Sequence, residues 1–274
     1  MARDLRSDTK LTPDPSRPGR LLGNIPEGWK VVYVFGGVSM YAALRAMHEA
    51  LDRPDLELVT ANAIFIAPVP PGPVMVDVEV LRNGRRAAQV AADVRVPGVE
   101  GVALRAHGVF GAAHDTEFMH QEVVFPEVPL PGDIAMPDLA RPAPFERPLF
   151  HQQTDWRPVT PLDDAGRGQF LSWVRLIEGE PDRLTLAVHG DVIGPAIGRA
   201  LRADLSETEM LMSLSLEIGI RFVRAPATQW VLQEIEAWHI GEGYATGPAR
   251  LWDEDGNLCA IASQTAHLRR AAPL

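Results

Sequence analysis

Apolar and polar positions alternate along residues 74–96. Val74, Val76, Val78 and Val80 stand against Met75, Asp77, Glu79 and Leu81, the pattern breaks at Asn83–Gly84, and it resumes through "AAQVAADVRV". A period of two is that of a half-buried strand, and Asn-Gly between two such runs is a strong hairpin signal. "LELVTANAIFIAP" before this pair and "VALRAHGVFG" after it also read as strands, with "VPGVEG" as a turn. Upstream the period changes. In "GGVSMYAALRAMHEAL", residues 36–51, Val38, Tyr41, Ala42, Leu44, Ala46 and Leu51 recur in an Ala/Leu/Met-rich run that stops at "DRPD". This predicts a helix buried on most sides, with Gly36–Gly37 as a bare N-terminus that something approaches closely. The polar first twenty residues, with three prolines, read as a loose arm leading to a short strand at "GRLLGNI".

From about residue 115 to 150 prolines come at short intervals and periodicity is lost, which predicts a linker crossing the surface. Beyond it the first pattern returns. "GQFLSWVRLI" and "RLTLAVHG" are strand-like or mixed, and "DVIGPAIGRAL" is a helix. "SLSLEIGIRFVRAP", "WVLQEIEAWHI", "GYATGPARLWD" and "LCAIASQTAHLRR" are strands, with a turn at "DEDGN". Gly37 to Arg45 and Asp191 to Arg199 share one spacing, and "AIFIAP" has its counterpart in "IRFVRAP". The expectation is an internal repeat: a unit over 1–115, a Pro-rich linker over 116–145, and a second unit over 146–274 that carries the chemistry.

Composition narrows the function. With 274 residues and 46% hydrophobic side chains the chain can bury a sizeable core. A net charge of −10 argues against nucleic acid and anionic membranes as partners. No apolar run reaches the roughly 18 residues of a membrane span, and "MARDLRSDTK" lacks the apolar region of a secretory signal, so a cytoplasmic protein is expected. The single cysteine, Cys259 in "LCAIA", reads as a buried structural thiol. The eight histidines show no metal-ligand spacing, so neither a metal nor a cofactor is expected, and His107, His189 and His267 have no carboxylate at a recognisable spacing. Arg82, Arg85 and Arg86, or Arg221 and Arg224, could form a local basic patch, though most of them read first as solvated turn and strand-edge residues. Trp156, Trp173, Trp230, Trp238 and Trp252 gather in the second half, as core or interface residues or as the lining of a ligand tunnel.

"FGG" ahead of "ALRAM", "NAIFIAP", "GDVIGPAIGRAL" and "GYATGPARLWDEDGNLCAIASQTAHLRR" together resemble the acyl-CoA thioesterases of double hotdog fold, similar to the type II bacterial enzymes. The resemblance covers most of the chain. It implies an α+β fold, two repeats of a long helix wrapped by a curved antiparallel sheet. It also implies acyl-CoA as substrate, hydrolysis to free acid and CoA, and a homo-oligomer. The acyl chain is expected between helix and sheet at the junction of the halves, with CoA phosphates near the surface arginines. Family members carry an Asp at the start of the second helix, Thr or Ser on the following strand and Gln on the last strand. Carried over, these are Asp191, Ser215 and Gln264, as catalytic residues. Ser213, two residues before Ser215, faces the same way and remains the alternative hydroxyl. Asn62 stands where the type II enzymes often have His.

A thioester is already activated, so hydrolysis needs a positioned water, a proton acceptor and a donor to the oxyanion. Asp, Ser and Gln supply such groups without metal. Each also has a structural reading: Asp191 as a helix N-cap, Ser215 as an ordinary strand serine, Gln264 as a buried packing amide that must be hydrogen-bonded. Two other functions fit the same fold. One is non-catalytic acyl-CoA binding or sensing; the other, a hydratase or dehydratase, lacks the Asp–His pair it needs.

Overall fold

A computed structural model describes residues 2–114, 118–137, 148–161, 164–204 and 210–271. The alternating runs form one antiparallel sheet. In the first half its strands are β1 (Leu11–Pro13), β2 (Arg20–Ile25), β3 (Glu57–Phe65), β4 (Gly72–Asn83), β5 (Ala87–Arg95) and β6 (Leu104–Gly111). In the second half they are β7 (Thr154–Pro158), β8 (Gln169–Leu176), β9 (Met210–Phe222), β10 (Val231–Glu236), β12 (Tyr244–Asp253) and β13 (Leu258–Ala271), with the short β11 (His239–Gly241) paired to β12. Helix α2 spans Gly36–Leu51, the run expected from periodicity.

The sheet order is β1-β2-β4-β5-β6-β3-β9-β13-β12-β10-β8-β7. Read outward from the centre, the first half runs β3, β6, β5, β4, β2, β1 and the second runs β9, β13, β12, β10, β8, β7: the same path twice. The halves join through β3 and β9, paired antiparallel about Asn62 and Gly219. Each carries a bulge three residues before that central pair, at Val59 and at Leu216. Topology, the central register and the bulges at Val59 and Leu216 thus obey one pseudo-two-fold axis, and the chain is a double hotdog. The inner face of the sheet packs on the helices, and one contiguous apolar core takes in both halves, from Val38, Leu44 and Met47 to Ile218, Ile220 and Val231.

Three readings need correction. "RLTLAVHG" is not strand-like: it holds helix α3 (Leu186–Gly190), which ends at Asp191 before a second short helix, α4 (Gly194–Ala200). The spacing of Leu184, Leu186 and Val188 suits a strand, and packing on the sheet overrides it. The N-terminal arm is not loose, because α1 (Leu5–Asp8) and β1 bury Leu5 and Leu11, and Arg3 forms a bidentate pair with Asp8. The Pro-rich segment does more than cross the surface. Val123, Phe125, Val128 and Ile134 cover the outer face of the second-half sheet, where Trp173, Trp230, Leu232 and Trp252 form a separate apolar cluster. The expected linker ends at 116 and 145 lie outside the described residues.

Candidate active site

A β-bulge aims the first site residue. Beyond Leu216 the inward residues of β9 are Ile218, Ile220 and Phe222; before it they are Leu211, Ser213 and Ser215, because the unpaired Leu216 reverses the alternation. In an unbulged strand Ser215 would share the outer face with Glu217. Opposite, on β13, Gln264 lies between buried Ala262 and Ala266, and the register pairs Gln264 with Ile218 and Ala266 with Ser215. The third residue, Asp191, comes from the break between α3 and α4.

The three side chains meet. Ser215 Oγ donates to Asp191 Oδ1 at 2.6 Å, and Gln264 Nε2 donates to the same oxygen at 2.5 Å and to Ser215 Oγ at 2.8 Å. Asp191 Oδ2 accepts the backbone N–H of Gly37, at the start of α2, at 2.8 Å. Gln264 Oε1 accepts the N–H groups of Val192 and Ile193 at 3.1 and 2.9 Å. Asp191 and Gln264 are both 5% exposed. Burial pushes the Asp191 carboxyl above the ordinary carboxylate range, and the bonds from Ser215, Gly37 and Gln264 offset this only in part.

Asp191 is therefore not the N-cap of its own helix. It is the C-cap residue of α3, and α4 has no side-chain cap at Ile193. Its carboxylate instead serves α2 of the other half, whose N-cap, Phe35, makes no side-chain cap bond. Gly37 permits the approach: a Cβ there would stand 2.7 Å from Val188 Cα and 2.9 Å from the Ala187 carbonyl. Ser213 faces the same side as Ser215 but lies against Gly194, so Ser215 is the hydroxyl bonded to Asp191.

The pseudo-two-fold shows what the first half has in place of these residues. Val59 and Leu216 correspond, so Leu58 takes the place of Ser215. Leu58 pairs with Phe110 and Ala61 with Gly108, as Ser215 pairs with Ala266 and Ile218 with Gln264, so Gly108 takes the place of Gln264. Gly37 takes that of Asp191. Leu58 Cδ1 lies 3.1 Å from where a Gly108 Cβ would be, so an apolar side chain fills the space a second polar triad would need.

The other candidates lie elsewhere. Asn62 is on the outer face, bonded to Glu217 at 3.4 Å. His107 pairs across from it, His189 is buried with its pKa pushed down to about 4 by desolvation, and His267 packs against Tyr244. Cys259 is buried, its thiol pushed up to about 12 by desolvation. Arg82, Arg85, Arg86, Arg221 and Arg224 are exposed. The tryptophans do not line the site: three lie under the linker segment, Trp156 stacks on Phe170 and Trp238 is exposed. A cavity of about 380 Å³ opens far from Asp191, among Arg17, Asp77, Glu79, Asp93 and Arg105 of the first half. Asp77 and Asp93 there are already paired with arginines. Beside Gln264 a narrow crevice runs between Ile193 and Ile235.

The model of the acyl-CoA thioesterase N-terminal domain matches residues 25–111, and that of the acyl-CoA thioesterase C-terminal domain matches residues 128–268. The chain belongs to the acyl-CoA thioesterase family. Solved structures similar to this thioesterase cover nearly its whole length. A hotdog-fold protein of unknown function from Alicyclobacillus acidocaldarius is 21% identical with a TM-score of 0.81, covering 100% of both chains. A candidate thioesterase from Novosphingobium aromaticivorans is 26% identical with a TM-score of 0.79, covering 94% of this chain and 98% of its own. Acyl-CoA thioesterase II of Mycobacterium marinum is 19% identical with a TM-score of 0.76, covering 98% of this chain and 99% of its own. No curated protein shows significant similarity to the chain. Among the described residues no helix is long and apolar enough to cross a membrane.

Proposed function

We propose that Asp191, Ser215 and Gln264 activate water for attack on the thioester carbonyl of an acyl-CoA, in the only polar triad that the two-fold related positions carry. The observation behind this reading is the convergence of Ser215 and Gln264 on one oxygen of a buried carboxylate whose other oxygen is held by Gly37.

Asp191 is the proton acceptor, because it is the only ionisable side chain of the three and burial, by raising its pKa, makes the ionised carboxylate a stronger base than an exposed one. Ser215 both donates to Asp191 and accepts from Gln264, so its hydroxyl has a fixed direction. Water gives its proton to Asp191 as its oxygen bonds to the carbonyl carbon. The tetrahedral adduct then expels the CoA thiolate, which takes the proton back from Asp191. The amide-rich N-terminus of α2, facing the same carboxylate, favours negative charge on the former carbonyl oxygen. The first half, residues 1–115, supplies that helix end; the second, 146–274, supplies the side chains.

Release of free thiol from a panel of acyl-CoAs tests the reaction, with Asp191→Asn as control. Binding of acyl-CoA without thiol release by the parental protein would replace hydrolysis with the binding or sensing function.

A further inference from the structure

The break between α3 and α4 is held open by two glutamines, and only one of them belongs to the triad. In an unbroken helix the N–H of Ile193 would bond to the carbonyl of His189. Here the N–H of Ile193 goes to Gln264 Oε1 at 2.9 Å, while the carbonyl of His189 accepts Gln233 Nε2 at 2.8 Å. Gln233 Oε1 in turn accepts Ser172 Oγ at 3.0 Å. Both residues are buried, Gln233 3% exposed and Ser172 not at all.

The first half is the internal control. On the shared spacing of Gly37 with Asp191, the corresponding donor and acceptor are Ser39 and Phe35, and there the helical bond is intact at 3.1 Å. The sheet register relates Gln233 to Val76, through Leu251 and Val94, and Ser172 to Leu21. Where this bond closes, in the first turn of α2, the pair below it is Val76 and Leu21, both apolar and buried. Where it is opened, the pair is Gln233 and Ser172. A buried glutamine and serine among apolar strand residues are costly unless satisfied, and these are satisfied by each other and by the His189 carbonyl, which lacks its helical partner at the break.

We propose that Gln233, oriented by Ser172, is a positioning residue for the thioesterase reaction: it holds the opened turn that presents Asp191 to Ser215, Gln264 and Gly37. It does so without touching the reacting atoms. Lacking its amide donor, the His189 carbonyl would be buried and unpaired. The turn could then satisfy that carbonyl by recruiting the N–H of Ile193, its helical partner, away from Gln264, drawing Asp191 with it. The role rests on Asp191 acting as the base.

Gln233→Met keeps length and apolar packing while removing the donor. Expected for it are a fall in kcat of about 10- to 100-fold with little change in KM, and an acid limb of the pH–rate profile moved to higher pH as the bonds that favour ionised Asp191 loosen. Faster hydrogen exchange of the Val192 and Ile193 amides should accompany these changes. Ser172→Ala, which only unhooks Gln233, should show the same changes to a smaller degree. If Gln233→Met does not fold, the double substitution Gln233→Val with Ser172→Leu, which installs the first-half pair, should fold and be slow. A folded Gln233→Met or double variant with parental kcat, pH profile and amide protection would overturn the role, whatever its Tm. Parental turnover by Asp191→Asn would instead remove the base reading, and the amide exchange of Gln233→Met would still decide whether Gln233 holds the turn.

Discussion

Gly37 and Asp191 occupy corresponding positions in the two repeats, and they touch: the N–H of the first donates to the carboxylate of the second at 2.8 Å. The functional carboxylate is thus anchored by its own two-fold counterpart, and each half holds part of one site.

Asp191→Asn should lower kcat by about 10²- to 10⁴-fold, the range of a lost general base. Thiol release at saturating acyl-CoA checks this; a folded variant with parental kcat would leave Asp191 only as the anchor of α2.

Parental kcat should fall on acidification with a midpoint above the ordinary carboxylate range, because the base must be ionised and burial raises its pKa. The sign for stability is opposite. As pH rises above the ordinary carboxylate value the unfolded chain loses this proton first, so Asp191 makes stability decline with pH up to its folded pKa. Urea unfolding across that window should show this component disappear in Asp191→Asn.

Gln264→Ala should damage both rate and stability. Viewed from the strand alone, Gln264 is either a water-orienting amide or a packing element; in the structure Nε2 serves the triad while Oε1 holds two backbone amides. Stranding those amides should cost about 1–3 kcal/mol, and kcat should fall about 10²-fold. Thermal melts and kinetics on one preparation measure both.

Ser215→Ala should slow hydrolysis about 10- to 100-fold, whereas Ser213→Ala, which lies against Gly194 instead of Asp191, should retain near-parental kcat. Equal effects in the two variants would contradict the bulged register.

Gly37→Ala should separate α2 from α3, since its Cβ meets backbone atoms that cannot rotate away. A loss of about 1–3 kcal/mol is expected from overpacking, with a lower kcat as the bond to Asp191 lengthens. A variant with parental Tm and kcat would show that the helices part without disturbing the carboxylate.

Local pattern was a sound guide wherever local physics decides the outcome. Alternation and Asn83–Gly84 place the β4–β5 hairpin, and α2 runs from Gly36 to Leu51 as its apolar spacing requires. The α3–α4 break is set by distant side chains. Gly194, Pro195 and Gly198 weaken the helix, but Gln233 and Gln264 decide where it opens. Gln233 did leave a trace: Val231, Gln233 and Ile235 share one strand face, and a lone amide in that apolar series asks for a buried partner. The bulge at Leu216 left none, because it is a property of how β9 registers on β13.

Cut between its halves, the protein would bare β3 on one fragment and β9 on the other, each a ready template for mispairing. The α2 fragment would lose the anion at its helix end, and the fragment with Asp191 would lose the amide that anchors the carboxylate. Free halves could also pair like with like, joining two silent fragments or two with triads but no Gly37. A single chain excludes those partners: fusion works here as an assembly instruction, matching every triad to one amide donor.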